Sequence, residues 1–103
     1  MKVKIGKKEY NVEVAKTEAE KLKGLQGRDS LNSDEGMLFI YDEPQDVAFW
    51  MKDTHIPLDI IFIDEDQEVI SVEQGTPMSE DLIEETDVQY VLELNQGSGV
   101  KEG

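Results

Sequence analysis

Residues 36–44 read Gly36-Met37-Leu38-Phe39-Ile40-Tyr41-Asp42-Glu43-Pro44. Met37 to Tyr41 is an unbroken apolar run between a glycine and an acidic, proline-ended turn, the pattern of a strand buried on both faces. It predicts a central strand, and the rest of the chain is read outward from it. Toward the N-terminus, Asn32 to Gly36 reads as a loop. Before it, Thr17-Glu18-Ala19-Glu20 is a capping box, whose threonine and third-on glutamate satisfy free backbone donors at a helix start. A short helix is expected from there to Gly24 or Gly27. Its apolar residues, Ala19, Leu22 and Leu25, are few, so the sheet has to hold it. Val3 and Ile5, then Tyr10, Val12 and Val14, alternate with polar residues around Gly6-Lys7-Lys8, a β-hairpin signal.

Toward the C-terminus, Val47 to Met51 is a second candidate strand, and Ile56-Pro57 forces a turn. Ile60 to Ile63 is another buried strand. Glu65-Asp66 turns it into Val69 to Glu73, a second hairpin without the usual glycine. Residues 75–87 are polar, with a short helical turn expected at Ser79 to Glu85. Tyr90-Val91-Leu92-Glu93-Leu94 makes the last strand. Short strands, one helix and hairpin-length connections predict a mainly β fold: an antiparallel β sandwich or partly open barrel with one short N-terminal helix, rather than βαβ units.

The 103 residues contain no dividing linker and read as a single domain, 1–103. No cysteine is present, which excludes disulfides, thiolate metal sites and cysteine nucleophiles. The formal net charge is −14, and it is unevenly placed: residues 1–28 hold eight of the ten basic residues and four of the twenty-four acidic ones. Such a body repels phosphate backbones and anionic lipid, which argues against nucleic-acid and membrane partners. No apolar run approaches the roughly 18 residues of a membrane span, and the N-terminal residues lack the apolar core of a signal peptide. As given, the chain reads as a soluble, cytoplasmic protein.

Familiar chemistry is sparse. His55 is the single histidine, no Gly-x-Ser-x-Gly elbow presents a serine, and no glycine-rich phosphate cradle occurs. Asp64-Glu65-Asp66 begins like a calcium loop, but Val69 and Gly75 stand where glycine and a bidentate glutamate are required. No catalytic residue, metal site or cofactor is therefore assigned. The densest stretch is Phe49 to Asp59. There Trp50 supplies an amphipathic ring suited to a pocket wall, Lys52 is a lone cation, and Pro57 precedes a buried strand. The plainer alternative puts Trp50 and Met51 in the core and Lys52 at the surface.

Four blocks, Gly24–Arg28, Glu35–Phe39, Phe49–Asp59 and Val91–Gly97, together resemble the ordered signature of the domain of unknown function 192 family. The resemblance implies a mainly β, sandwich-like fold and says little about activity. It also implies two departures. Gln26 stands where relatives usually have methionine, and the chain stops at Gly103 where relatives usually continue into a closing strand. An open sheet edge is then expected, with residues 98–103 mobile or edge-attached. Many relatives carry an export signal, so a mature form of an exported protein is the alternative location.

The expected function is a small non-enzymatic binding or accessory domain, with a pocket around Trp50 to Asp59 that meets a small molecule or a protein. The expected binding set is Arg28, Trp50, Met51, Lys52, Thr54, Pro57, Asp59 and Glu93. Within it, Arg28 is expected to pair with a buried Asp59 or Glu93 beside Trp50, because a buried carboxylate needs a partner and the guanidinium fork holds one bidentately. Two other readings stay open. One is an enzyme using Lys52, Asp59 or Glu93 as acid or base, which a strongly shifted pKa inside a cleft favours. The other is a structural accessory protein, for example in a virion, with a homomeric interface in place of the pocket.

Overall fold

The computed structural model describes residues 1–101. Its elements are β1 (Lys2–Ile5), β2 (Lys8–Ala15), α1 (Glu18–Lys23), β3 (Glu35–Phe49), β4 (Leu58–Ile63), β5 (Val69–Gly75) and β6 (Ile83–Asn95). They form one six-stranded mixed sheet in the order β1-β2-β3-β6-β4-β5. The fold is mainly β with one short helix, and β1 and β5 are unpaired edges, so the sheet is not a closed barrel. Among the described residues no helix is long and apolar enough to cross a membrane.

Both predicted hairpins form. β1 and β2 pair Ile5 with Lys8 across Gly6-Lys7, and Gly6 takes the positive φ of +60° that the turn requires. In the β4–β5 turn an aspartate does the work expected of glycine. The Asp64 carboxylate accepts the backbone N–H groups of Asp66 and Glu68, each at 2.9 Å, while Gln67 adopts φ +64°.

The capping box is present at Thr17 and Glu20, and α1 stops at Gly24, whose φ is +49°. None of the helical residues is buried. Leu25, just past the cap, is the residue that enters the core, while Leu22 is 74% exposed. The helix is therefore held by its caps and by Leu25 rather than by an apolar face of its own.

Three sequence expectations are corrected. β2 and β3 are parallel, with Asn11 beside Glu35 and Ala15 beside Phe39. Residues 16–34 are long enough for a crossover, and its helix needs only six residues because loops on either side cover the remaining span. The sheet is thus mixed rather than antiparallel. Next, Met37–Tyr41 and Val47–Phe49 belong to one strand. The β3–β6 register shifts between Ile40 and Gln45 and again between Gln45 and Val47, so Asp42-Glu43-Pro44 is absorbed as an irregularity instead of ending the strand. Finally, no helical turn forms at Ser79–Glu85; Ile83 to Glu85 already pair in β6 opposite Phe49 to Val47.

Each face of the sheet carries a core. One joins Phe39, Val91, Ile60 and Phe62 with Leu25, Met51 and Ile56 from the loops. The other joins Leu38, Leu92, Leu94 and Ile61 with Tyr10 and Val12. Val3 and Ile5 from one edge of the sheet and Val69 and Val72 from the other pack against this second cluster, so the sheet coils around it.

The end of the chain is tied in. Ser98 donates to the Asp59 carboxylate through its backbone N–H at 2.9 Å and its hydroxyl at 2.6 Å, and Val100 packs against the second cluster. The attachment is to β4, an interior strand, and not to a sheet edge. Of the segment expected to be mobile or edge-attached, residues 102 and 103 lie outside the described residues.

Candidate functional site

β6 lies between β3 and β4, and the two-residue period sends Val91 and Glu93 to the first core and Leu92 and Leu94 to the second. Register places Glu93 directly between Met37 on β3 and Ile60 on β4. A carboxyl group thus stands in an apolar row, and the residue is only 4% exposed. Among the described residues no hydrogen bond or ion pair reaches it, and no side-chain polar atom sealed from solvent lacks a partner. The Glu93 oxygens therefore open onto free space, and that space is a cleft of about 220 Å³. Burial pushes the Glu93 pKa from 4.5 up to about 8, so at neutral pH the group is an uncharged acid.

The cleft lies between α1 and the first face of the sheet. Phe39, Tyr41, Phe49 and Trp50 supply aromatic walls, and Lys21 and Leu22 form part of the α1 side. Phe39 and Phe49 meet edge to face at 5.0 Å. Gly24 ends the helix at φ +49° against the Phe39 ring; a Cβ there would be in ordinary contact with that ring, so the backbone conformation and not space calls for glycine. The Lys21 ammonium sits 4.0 Å from the centre of the Tyr41 ring. Burial, and then the charges of Glu18 and Glu93, raise the Tyr41 hydroxyl to about 12, so it stays a neutral donor. Trp50, 37% exposed, and Leu22 leave apolar surface at the mouth.

Of the eight residues expected to form the site, the structure brings Trp50, Thr54 and Glu93 to the cleft. Thr54 is buried, and its hydroxyl donates to the Lys52 carbonyl, which fixes the turn after Trp50. Met51 is core: it packs so tightly on Gly75 that a Cβ there would come within 2.5 Å of its sulfur. Lys52 is exposed, its ammonium 5.2 Å from the Trp50 ring centre. Pro57 is exposed and contributes its carbonyl, which accepts from the Gln96 backbone.

The ion pair expected of Arg28 does not form with Asp59 or Glu93. Its guanidinium is bidentate to Glu13 on β2, with both side chains partly exposed. The Arg28 hydrogen bond holds the Glu13 carboxyl below its ordinary pKa. Asp59 pairs with Leu94 in the register, so it faces the second core, away from Glu93. There it accepts from Gln74 Nε2 at 2.7 Å as well as from Ser98. Its role is to join β4, β5 and the chain end.

Tyr41 and Lys21 lie outside the site expected from sequence, and Leu22 is expected there only as a helix contact to the sheet. Tyr41 carries one signal, a polar tip at the end of the apolar run. Lys21 carries none, and both it and Leu22 line the cleft only because α1 lies beside it. Among the described residues no group of three His, Asp or Glu side chains converges to hold a metal ion.

A coiled mixed sheet whose parallel crossover helix roofs an acid-lined cleft defines the structural class. The chain belongs to the DUF192 family, described as "Uncharacterized ACR", whose model matches residues 1–103. Two solved structures are closely similar. One, from Sinorhizobium meliloti 1021, is provisionally described as a transcription regulator; it is 39% identical, with a TM-score of 0.89 over 92% of this chain and 78% of its own. The other, a protein of unknown function from Novosphingobium aromaticivorans DSM 12444, is 37% identical, with a TM-score of 0.89 over 93% of this chain and 73% of its own. No curated protein matches the chain.

Proposed function

We propose that this domain binds a small molecule in the cleft between α1 and the sheet, with Glu93 as the polar anchor and Trp50, Tyr41, Phe39 and Phe49 as walls. One observation carries the reading. A mostly buried carboxyl group that no hydrogen bond reaches among the described residues opens into an aromatic cleft, where a ligand can take the place of solvent on its oxygens. The volume of about 220 Å³ is below that of a drug-sized site, so the ligand is small. Both sheet edges pack against one cluster, which supports a partly open barrel over a sandwich as the scaffold. The acidic surface supports a regulator or accessory protein that works through a ligand or a protein partner rather than through contact with DNA. A fragment screen read by backbone amide shifts tests the proposal. Hits should perturb residues 21–25, 39–41, 49–54 and 93 together; hits confined to the opposite face would refute it.

A second reading is favoured by the raised pKa of Glu93, which leaves a protonated acid at neutral pH where a general acid is useful. It requires turnover of a cleft ligand that Glu93→Gln abolishes while binding persists.

A further inference from the structure

We propose that the Glu93 cleft is a receptor for a small organic ammonium cation, whose N–H groups donate to the Glu93 carboxylate while its carbon skeleton lies against the aromatic walls. The proposal deepens the small-molecule reading and rests on it.

The first ground is the contrast between Glu93 and the other buried polar side chains. Asp59 accepts three hydrogen bonds, the Ser71 hydroxyl donates to Glu85, and the Thr54 hydroxyl donates to the Lys52 carbonyl. Among the described residues Glu93 alone of these four is left open, and its opening is the cleft. Aromatic faces are the second ground, because they attract cations through the ring quadrupole. Two ammonium groups of the chain itself already use them, Lys21 over Tyr41 and Lys52 over Trp50. The third is the long-range field of the rest of the chain, where residues 29–103 carry twenty acidic residues against two lysines and attract cations, although the α1 rim itself carries Lys21 and Lys23 against Glu18. A neutral ligand would gain one ordinary hydrogen bond from the protonated acid, whereas an ammonium gains a charge-assisted one.

The groups facing Glu93 set the proton balance. Met37 on β3 and Ile60 on β4, directly beside it, carry no charge. Tyr41 on β3 is neutral, and Trp50 and Thr54 beyond that strand do not titrate. From α1, Glu18 offsets one of Lys21 and Lys23 at the rim. The ion pair forms only after the Glu93 proton leaves, so uptake of the cation at neutral pH releases one proton to solvent. Affinity then rises about tenfold per pH unit until the carboxyl ionises unaided. An alkylammonium keeps its own charge throughout, since amines of the lysine type titrate near pH 10, roughly.

Matched probes of equal chain length decide the matter: butylammonium, butanol and butyrate, followed by cleft amide shifts and Trp50 fluorescence at pH 6 and pH 8, with calorimetry in two buffers of different ionisation enthalpy. Butylammonium should bind at pH 8, weaken at pH 6 and release a proton. Glu93→Gln, which keeps the shape but cannot ionise, should weaken butylammonium at least about tenfold and abolish its pH dependence and proton release, and should weaken butanol far less. Lysine blocked at both backbone ends separates a protein side chain from a free amine as the source of the ammonium; either one binding best is consistent with the proposal. Butanol binding the cleft as tightly as butylammonium, without pH dependence, or butyrate binding more tightly, would overturn the cation and leave the small-molecule reading standing. Failure of every probe to perturb the cleft would overturn both.

Discussion

Replacing Glu93 with glutamine should make the protein more stable, and the gain should grow with pH. In the unfolded chain the carboxyl titrates near its ordinary 4.5, whereas burial among Met37, Ile60 and the cleft walls lifts it to about 8 in the fold. Below 4.5 both states hold the proton and Glu93 costs nothing through ionisation. Between the two values the native state keeps a proton that the unfolded state has lost, so stability falls as pH rises, by about 1.4 kcal/mol per unit. The loss is complete once the pH passes the folded value. The full difference corresponds to about 5 kcal/mol, of which about 3 kcal/mol is already lost at pH 7. Twenty-three other acidic residues also titrate, but they are common to both proteins, so the difference between wild type and Glu93→Gln isolates the one group. Urea titrations at pH 5, 7 and 8, read by Trp50 fluorescence and circular dichroism, give that difference directly. It should rise from pH 5, where the ionisation contribution is below about 1 kcal/mol, to several kcal/mol at pH 8. Parallel pH profiles, agreeing within about 0.5 kcal/mol, would show that Glu93 ionises as an ordinary surface acid and remove the basis for a neutral acid in the cleft.

Arg28→Ala should cost less than about 1 kcal/mol in denaturant titration, because the Glu13–Arg28 pair is partly exposed and screened by water. Asp59→Ala should cost about 2–4 kcal/mol, since it removes the three hydrogen bonds by which a buried carboxylate joins β4, β5 and the chain end, and hydrogen exchange should show lost protection at Ser98 and Val100. Gly36→Ala should destabilise by about 1–3 kcal/mol or more, because a Cβ there falls 2.5 Å from the Glu93 carbonyl oxygen, and backbone in the middle of a sheet yields poorly. Thermal unfolding with calorimetry measures it. Thr17→Ala should remove about 1 kcal/mol by opening the capping box, with the helical signal in circular dichroism falling first.

By itself the sequence determined what short-range physics controls. The hairpins at Gly6-Lys7 and at residues 64–68, the capping box at Thr17, the central strand through Met37–Tyr41 and the apolar strands at Ile60–Ile63 and Val91–Leu94 follow from patterns spanning a few residues. That Glu93 interrupts an apolar strand was legible in the same way, as was the density of large side chains around Trp50. What the tertiary structure alone decided is which of these meet. Asp59 and Glu93 each lie in an apolar strand, and nothing local says whether they share a face. The β4–β6 register, which sets Ile60 opposite Glu93, sends them to opposite sides of the sheet. The same holds for Arg28, whose partner Glu13 is set by the crossover from β2 to β3, and for Lys21 and Leu22, which line the cleft because α1 docks there. Strand pairing and helix docking are fixed by contacts between residues far apart in the chain, and a one-residue slip would invert every facing. Local pattern therefore identified the carboxyl group, and only the assembled sheet showed that it faces an aromatic cleft rather than any partner among the described residues.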